Sequence, residues 1–134
     1  MVVLPLRPMS NIDPQVCHLL SGLLLGNLDN VGGLSTVSKG DVEAMLGVER
    51  QKDLLGCSTT ACMAEIGGAL GAELVLYGEV GVIGNSYTVN LNIVSARDSM
   101  VAGRVSKLLP KDEDSLALSI PAIVSDVVEK LNSR

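Results

Sequence analysis

The chain has 134 residues, a formal charge of -5 and a pI near 4.7. It reads as one ordinary domain over residues 1–134, with scattered Lys and Arg where a phosphate-backbone binder would cluster them. There is no Phe, no Trp and only two Tyr, so the core must come from Leu, Val, Ile, Ala and Met. The stacking platforms for single-stranded nucleic acid are missing, and nucleic acid is excluded as a partner.

The first segment, Val2 to Leu6, reads as a short strand, with Pro5 marking an edge or strand end and Arg7-Pro8 ending it. Asp13 offers an N-cap and Pro14 the favoured first helical position. Val16, Leu19, Leu20, Leu23, Leu24 and Leu28 then recur at helical spacing. This helix is apolar over more than one face, which suits burial between layers better than contact with another chain. Its longest apolar stretch, Leu19 to Leu25, contains Ser21 and Gly22 and is far shorter than the roughly 20 residues of a membrane span.

Asn30 to Gly33 closes the helix, and Leu34 to Val37 reads as a second short strand. Ser38 with Asp41 forms a capping-box-like start to a helix through Val42, Met45, Leu46, Leu54 and Leu55, interrupted near Gly47. A third helix is predicted from about Thr60 to Leu70, stopping at Gly71. The period then changes to two. Leu74, Leu76, Val80 and Val82 alternate with Val75, Tyr77, Glu79 and Ile83, Gly84-Asn85 turns, and Tyr87, Val89, Leu91 and Ile93 alternate with Thr88, Asn90 and Asn92. After a turn at Arg97-Asp98-Ser99, a strand returns over Met100 to Leu108. A final helix runs from about Asp112 to Asn132, kinked or loosened at Pro121.

The predicted order is β-α-β-α-α-β-β-β-α, a mixed sheet of the α/β (α+β) class. A right-handed crossover joins its first two strands, three antiparallel strands form a meander at the other edge, and helices lie mainly on one face. The face carrying Thr88, Asn90 and Asn92 is then left for solvent or a partner, and these three are the candidate partner-binding residues.

Three stretches together carry a family resemblance: Val2-Val3-Leu4-Pro5-Leu6, the run from Gly67 to Val80 (GGALGAELVLYGEV), and the meander after it. They resemble the TolB amino-terminal-like group, which includes CsgG-like and LpoB-like envelope proteins. The resemblance implies a non-catalytic domain that docks envelope proteins or assembles multi-protein complexes, and it supplies no catalytic residues. The Cys57 and Cys62 pair is a departure from TolB itself.

Cys57 and Cys62 are five apart on a loop entering a helix, close enough to be bridged if the loop brings their Cβ atoms together. In an oxidising compartment such a bridge is worth about 2 kcal/mol in the chain-entropy model; the alternative is two reduced thiols. Cys17, His18, Cys57 and Cys62 reach the count of a structural zinc site, but adjacent helical residues point about 100° apart and no second C-x-x-C spacing exists. His18 is the sole histidine and no nucleophile signature accompanies it. Gly78, Gly81 and Gly84 lie in a strand pattern and read as bulge or close-packing positions. Asp112, Glu113 and Asp114 are explained by a helix dipole. No catalytic residue, cofactor or metal is predicted.

Two functions are expected to compete. The first is a non-enzymatic envelope interaction domain, periplasmic or outer-membrane-associated, that binds another envelope protein or itself as a homo-oligomer. The second is a cytosolic small-ligand-sensing domain. No signal peptide precedes Val2, and on the first reading Met1 stands in place of a removed leader.

Overall fold

The computed structural model describes residues 1–9, 11–31 and 59–133. The expected strand at Leu34–Val37, the helix through Val42 to Leu55, the crossover to that strand and Cys57 all lie outside the described residues.

Among the described residues the sheet has five strands: β1 (Val2–Val3), β2 (Arg7–Pro8), β3 (Leu74–Ile83), β4 (Ser86–Ser95) and β5 (Met100–Pro110). The lateral order is β1-β3-β4-β5, and β2 pairs with β3 further along the lane that β1 opens. β1 and β2 run parallel to β3, with Val2 opposite Val75 and Arg7 opposite Glu79. β3, β4 and β5 form the antiparallel meander. Gly84 makes the first turn with a φ of 58°, a value that glycine adopts without a Cβ penalty.

Arg7-Pro8 continues the lane opened by β1, where the sequence suggested an end. Pro5 does interrupt it, and α1 (Pro14–Asp29) compensates. Leu6 N–H donates to Ser21 Oγ at 2.9 Å, and the Cys17 thiol donates to Leu6 O at 3.2 Å. Both peptide groups of the residue that leaves the sheet are therefore satisfied by one helix. The lane then rejoins β3 through Met9 N–H to Val80 O. It is prolonged by Asn11, whose side-chain amide donates to Val82 O and accepts from Val82 N–H. One amide side chain thus takes the place of a strand residue's backbone.

α1 begins as its sequence dictates, with Asp13 accepting from Gln15 N–H and Pro14 in the first turn. α2 (Thr60–Ala69) is capped by Thr59, which accepts from Cys62 N–H. It stops in a Schellman motif, where Gly71 at φ 72° donates to Gly68 O and Ala72 N–H donates to Gly67 O. The predicted final helix is two helices, α3 (Glu113–Leu118) and α4 (Ile120–Asn132). Pro121 has no N–H for an unbroken helix and its ring would meet the carbonyl of Ala117. The chain breaks at Ser119, and Pro121 occupies the first turn of α4 instead.

The main core lies between one sheet face and α1, α3 and α4. Leu76, Val80, Val89, Leu91 and Ile93 meet Leu20, Leu24 and Leu28 from α1, Leu116 from α3 and Ile120, Ile123 and Val127 from α4. A 2.6 Å ion pair, Lys107 to Asp126, ties α4 to β5. Helices do not cover this face alone. Val2, Leu4 and Val75, which point the other way, form a second cluster with Met63 and Ile66 of α2. Gly67 allows that approach, since a Cβ there would lie 2.5 Å from Val75 Cγ2.

Candidate protein-docking face

The antiparallel register sets Thr88, Asn90 and Asn92 in a line along β4. Gly81 and Leu108 flank Thr88, Glu79 and Ser106 flank Asn90, and Tyr77 and Arg104 flank Asn92. Because side chains alternate, all of these share the face opposite the main core. α2 occupies this face near Val75 and Tyr77. Toward the Gly84 turn no described helix lies over it. The three predicted residues are half-buried, whereas Glu79, Arg104, Ser106 and Leu108 are exposed.

The face is polar along its centre and apolar at its border. Leu108 and Ile83 are each 68% exposed, and Met9 leans over Gly81, where a Cβ would come within 2.9 Å of Met9 Cγ. Sequence reasoning did not single out Met9, Ile83 or Leu108. The strand periodicity that places Ile83 and Leu108 on this face was available; the approach of Met9 depends on β2, which was not anticipated. No hydrogen bond among the described residues engages the side chains of Thr88, Asn90 or Asn92. Asn and Thr offer donors and acceptors together, a combination that pairs with peptide groups and does no acid-base work.

The backbone of β4 is unavailable to a partner. Leu76 O and Val80 O serve the β1–β2 lane, so strand alternation assigns Thr88, Asn90 and Asn92 to β3 and Tyr87, Val89, Leu91 and Ile93 to β5. The same alternation turns the peptide groups of Arg104, Ser106 and Leu108 outward along β5, which pairs only with β4 among the described strands. A register shift at Ile93/Val94 and Pro110 at the strand end are features that discourage open edges from pairing freely.

The other candidates of the sequence are distributed elsewhere. Cys17 is 1% exposed, and burial pushes its thiol from 9.0 to about 11, far from the acidity of a nucleophile or metal-ligating thiolate. His18, its neighbour, is exposed and borders a shallow recess of about 130 Å³ with Val3, Pro5, Ser21 and Leu25. Ligand pockets usually span roughly 300–1,000 Å³. Cys62 lies half-buried on α2 beside the second cluster, and its expected partner Cys57 is outside the described residues.

No protein-family model matches the sequence, and no curated protein does. Solved structures are similar in fold. The LpoB C-terminal domain from Salmonella enterica aligns with a TM-score of 0.57 and 17% identity, over 81% of this chain and 80% of that one. TolB from Acinetobacter baumannii gives 0.61 at 13% identity over 98% of this chain, which spans 28% of that protein. Lipoprotein GNA1162 from Neisseria meningitidis gives 0.60 at 16% identity over 95% of this chain and 94% of that one. The chain has the fold of the LpoB/TolB-like envelope-protein group, as the three stretches of resemblance implied.

Proposed function

We propose that the chain is a non-enzymatic interaction domain of a bacterial cell envelope, periplasmic or outer-membrane-associated, that docks another envelope protein through the sheet face of Thr88, Asn90 and Asn92. One observation carries this reading. A fold shared with a lipoprotein, with LpoB and with TolB presents a row of uncommitted amide and hydroxyl side chains bordered by exposed Ile83, Leu108 and Met9. Protein interfaces combine exposed apolar anchors with side chains free to hydrogen-bond across them.

A bridge between Cys57 and Cys62 belongs to the same proposal. It is supported by Cys62 not being a free thiol and by the oxidising compartment that the reading requires. Intact-mass measurement of alkylated native protein reads both the thiols and the processed amino terminus. Three alkylated cysteines on a chain starting at Met1 place the domain in the cytosol and remove the envelope reading.

Docking is tested by placing a photo-crosslinking residue at Asn90, with the exposed turn residue Asp98 as the control position. A discrete protein adduct from position 90 and none from 98 is the expected result. Equal yields from both positions, or none from either, would refute the sheet-face assignment. An adduct of twice the chain mass identifies the partner as a second copy.

A further inference from the structure

The sequence favoured burial for the whole apolar surface of α1. The structure buries Cys17, Leu20, Leu24 and Leu28 but leaves Leu19 62% and Leu23 45% exposed. These two lie one turn apart on the wall of a groove of about 250 Å³ between α1 and α3. Val16, Ala117 and the buried Leu20 and Leu116 line it, together with Glu113 and Asp114 from the first turn of α3. Leu118, one helical turn after Asp114 on α3, is 79% exposed. No cation among the described residues pairs with Glu113 or Asp114. The groove therefore joins uncovered leucines to two unneutralised carboxylates.

The geometry points to this groove as the docking site for an amphipathic helical segment of a partner protein whose apolar stripe ends in lysine or arginine. The inference rests on the docking reading above but concerns a different surface. A trough between two helices accepts a third by presenting leucines one turn apart to apolar residues at i and i+4 of the incoming helix. The carboxylates set its polarity, because only the orientation that brings its basic end to Glu113 and Asp114 gains Coulomb energy.

Among the described helices, charge argues against the other occupants. A second copy would need a helix with an apolar stripe and a basic end. Of the described helices, α1 and α2 contain no Lys or Arg, and α3 is acidic. α4 carries Lys130, but its Ile120, Ile123, Val124 and Val127 are already buried. An anionic lipid surface would be repelled by the same two carboxylates.

The test uses the full chain and a fluorescein-labelled 16-residue helical peptide with leucines at i, i+4 and i+7 and two lysines at one end. A second peptide carries glutamates in place of the lysines. Fluorescence anisotropy at low ionic strength should show the lysine peptide binding about tenfold more tightly, a preference that shrinks as salt is added. Leu19→Gln with Leu23→Gln should remove binding while circular dichroism stays unchanged. Glu113→Gln with Asp114→Asn should leave binding but erase the preference. Asn90→Lys, on the other face, should change neither, which separates this site from the sheet-face docking. Equal affinity for both peptides, no binding of either, or binding that survives the leucine changes overturns the proposal. So does a dimer of the unmodified chain that those changes convert to monomer.

Discussion

Cys17 makes stability depend on alkaline pH in a calculable way. Its thiol is held neutral in the folded chain because the surrounding Leu, Ile and Val side chains cannot solvate a thiolate, and its ionisation moves from 9.0 to about 11. Between those values the unfolded chain releases a proton that the folded chain retains. The unfolded state then binds fewer protons, so unfolding free energy falls as pH rises. The contribution is intact below pH 9 and is lost as pH climbs through 11, with a total of about 2–3 kcal/mol at about 1.4 kcal/mol per tenfold change in acidity. Urea denaturation of the parent and of Cys17→Ala, at pH 8 and at pH 10.5, checks this. The two proteins differ only at residue 17, so the difference between the two pH dependences isolates the thiol. The parent should lose about 2 kcal/mol more than the variant over that interval. Parallel losses would show that the thiol ionises in the native state without penalty, and the packing described around it would be wrong.

Four further outcomes follow from particular contacts. Leu28→Ala, at a fully buried position, should cost about 2–5 kcal/mol in urea denaturation, whereas Leu19→Ala should stay within about 0.5 kcal/mol of the parent. Asn11→Ala removes both side-chain bonds to Val82 and should lower stability by about 1 kcal/mol while speeding amide exchange at Val82. Gly71→Ala places a Cβ at φ 72° and should cost about 1 kcal/mol, read as a lower thermal midpoint. Gly78→Ala would drive a Cβ into Asn90 O and Leu91 Cδ2, and circular dichroism should show loss of cooperative unfolding or a drop of several kcal/mol.

The elements legible in the sequence were those whose local chemistry and periodicity agree. Asp13-Pro14 dictated the start of α1, Gly71 the stop of α2, and the alternation around Gly84-Asn85 the meander with its wet row of Thr88, Asn90 and Asn92. What escaped was set by tertiary partners. α1 has apolar residues on every side, so no angular preference in its sequence says that Leu19 and Leu23 face outward. That follows from how α1 packs beside α3, with Leu19 and Leu23 left lining the groove between them. Arg7-Pro8 looks like a strand stop because proline lacks a donor, yet the lane bonds to β3 through Met9 N–H to Val80 O and needs no donor from Pro8. The burial of Val75 against α2 was hidden because a strand covered on both faces loses the simple inside-outside rhythm there. Met9 joined the docking face only because β2 carries it alongside Gly81.

The parallel pairing of β1 with β3 has a consequence for how the chain assembles. Val2 must find Val75 across a loop of roughly seventy residues, whereas β3 and β4 meet through a two-residue turn. With each doubling of loop length adding about 0.6 kcal/mol of closure entropy, the first encounter is about 3 kcal/mol less favourable than the second. The meander is therefore the natural nucleus, and the amino-terminal lane is the last piece to arrive and the first to leave. Amide protons at Leu4 and Met9, whose acceptors are Leu76 O and Val80 O, should exchange well before those of Leu91 and Ile93 at the centre of the sheet. A domain built this way can release its first strand while keeping the rest of its framework.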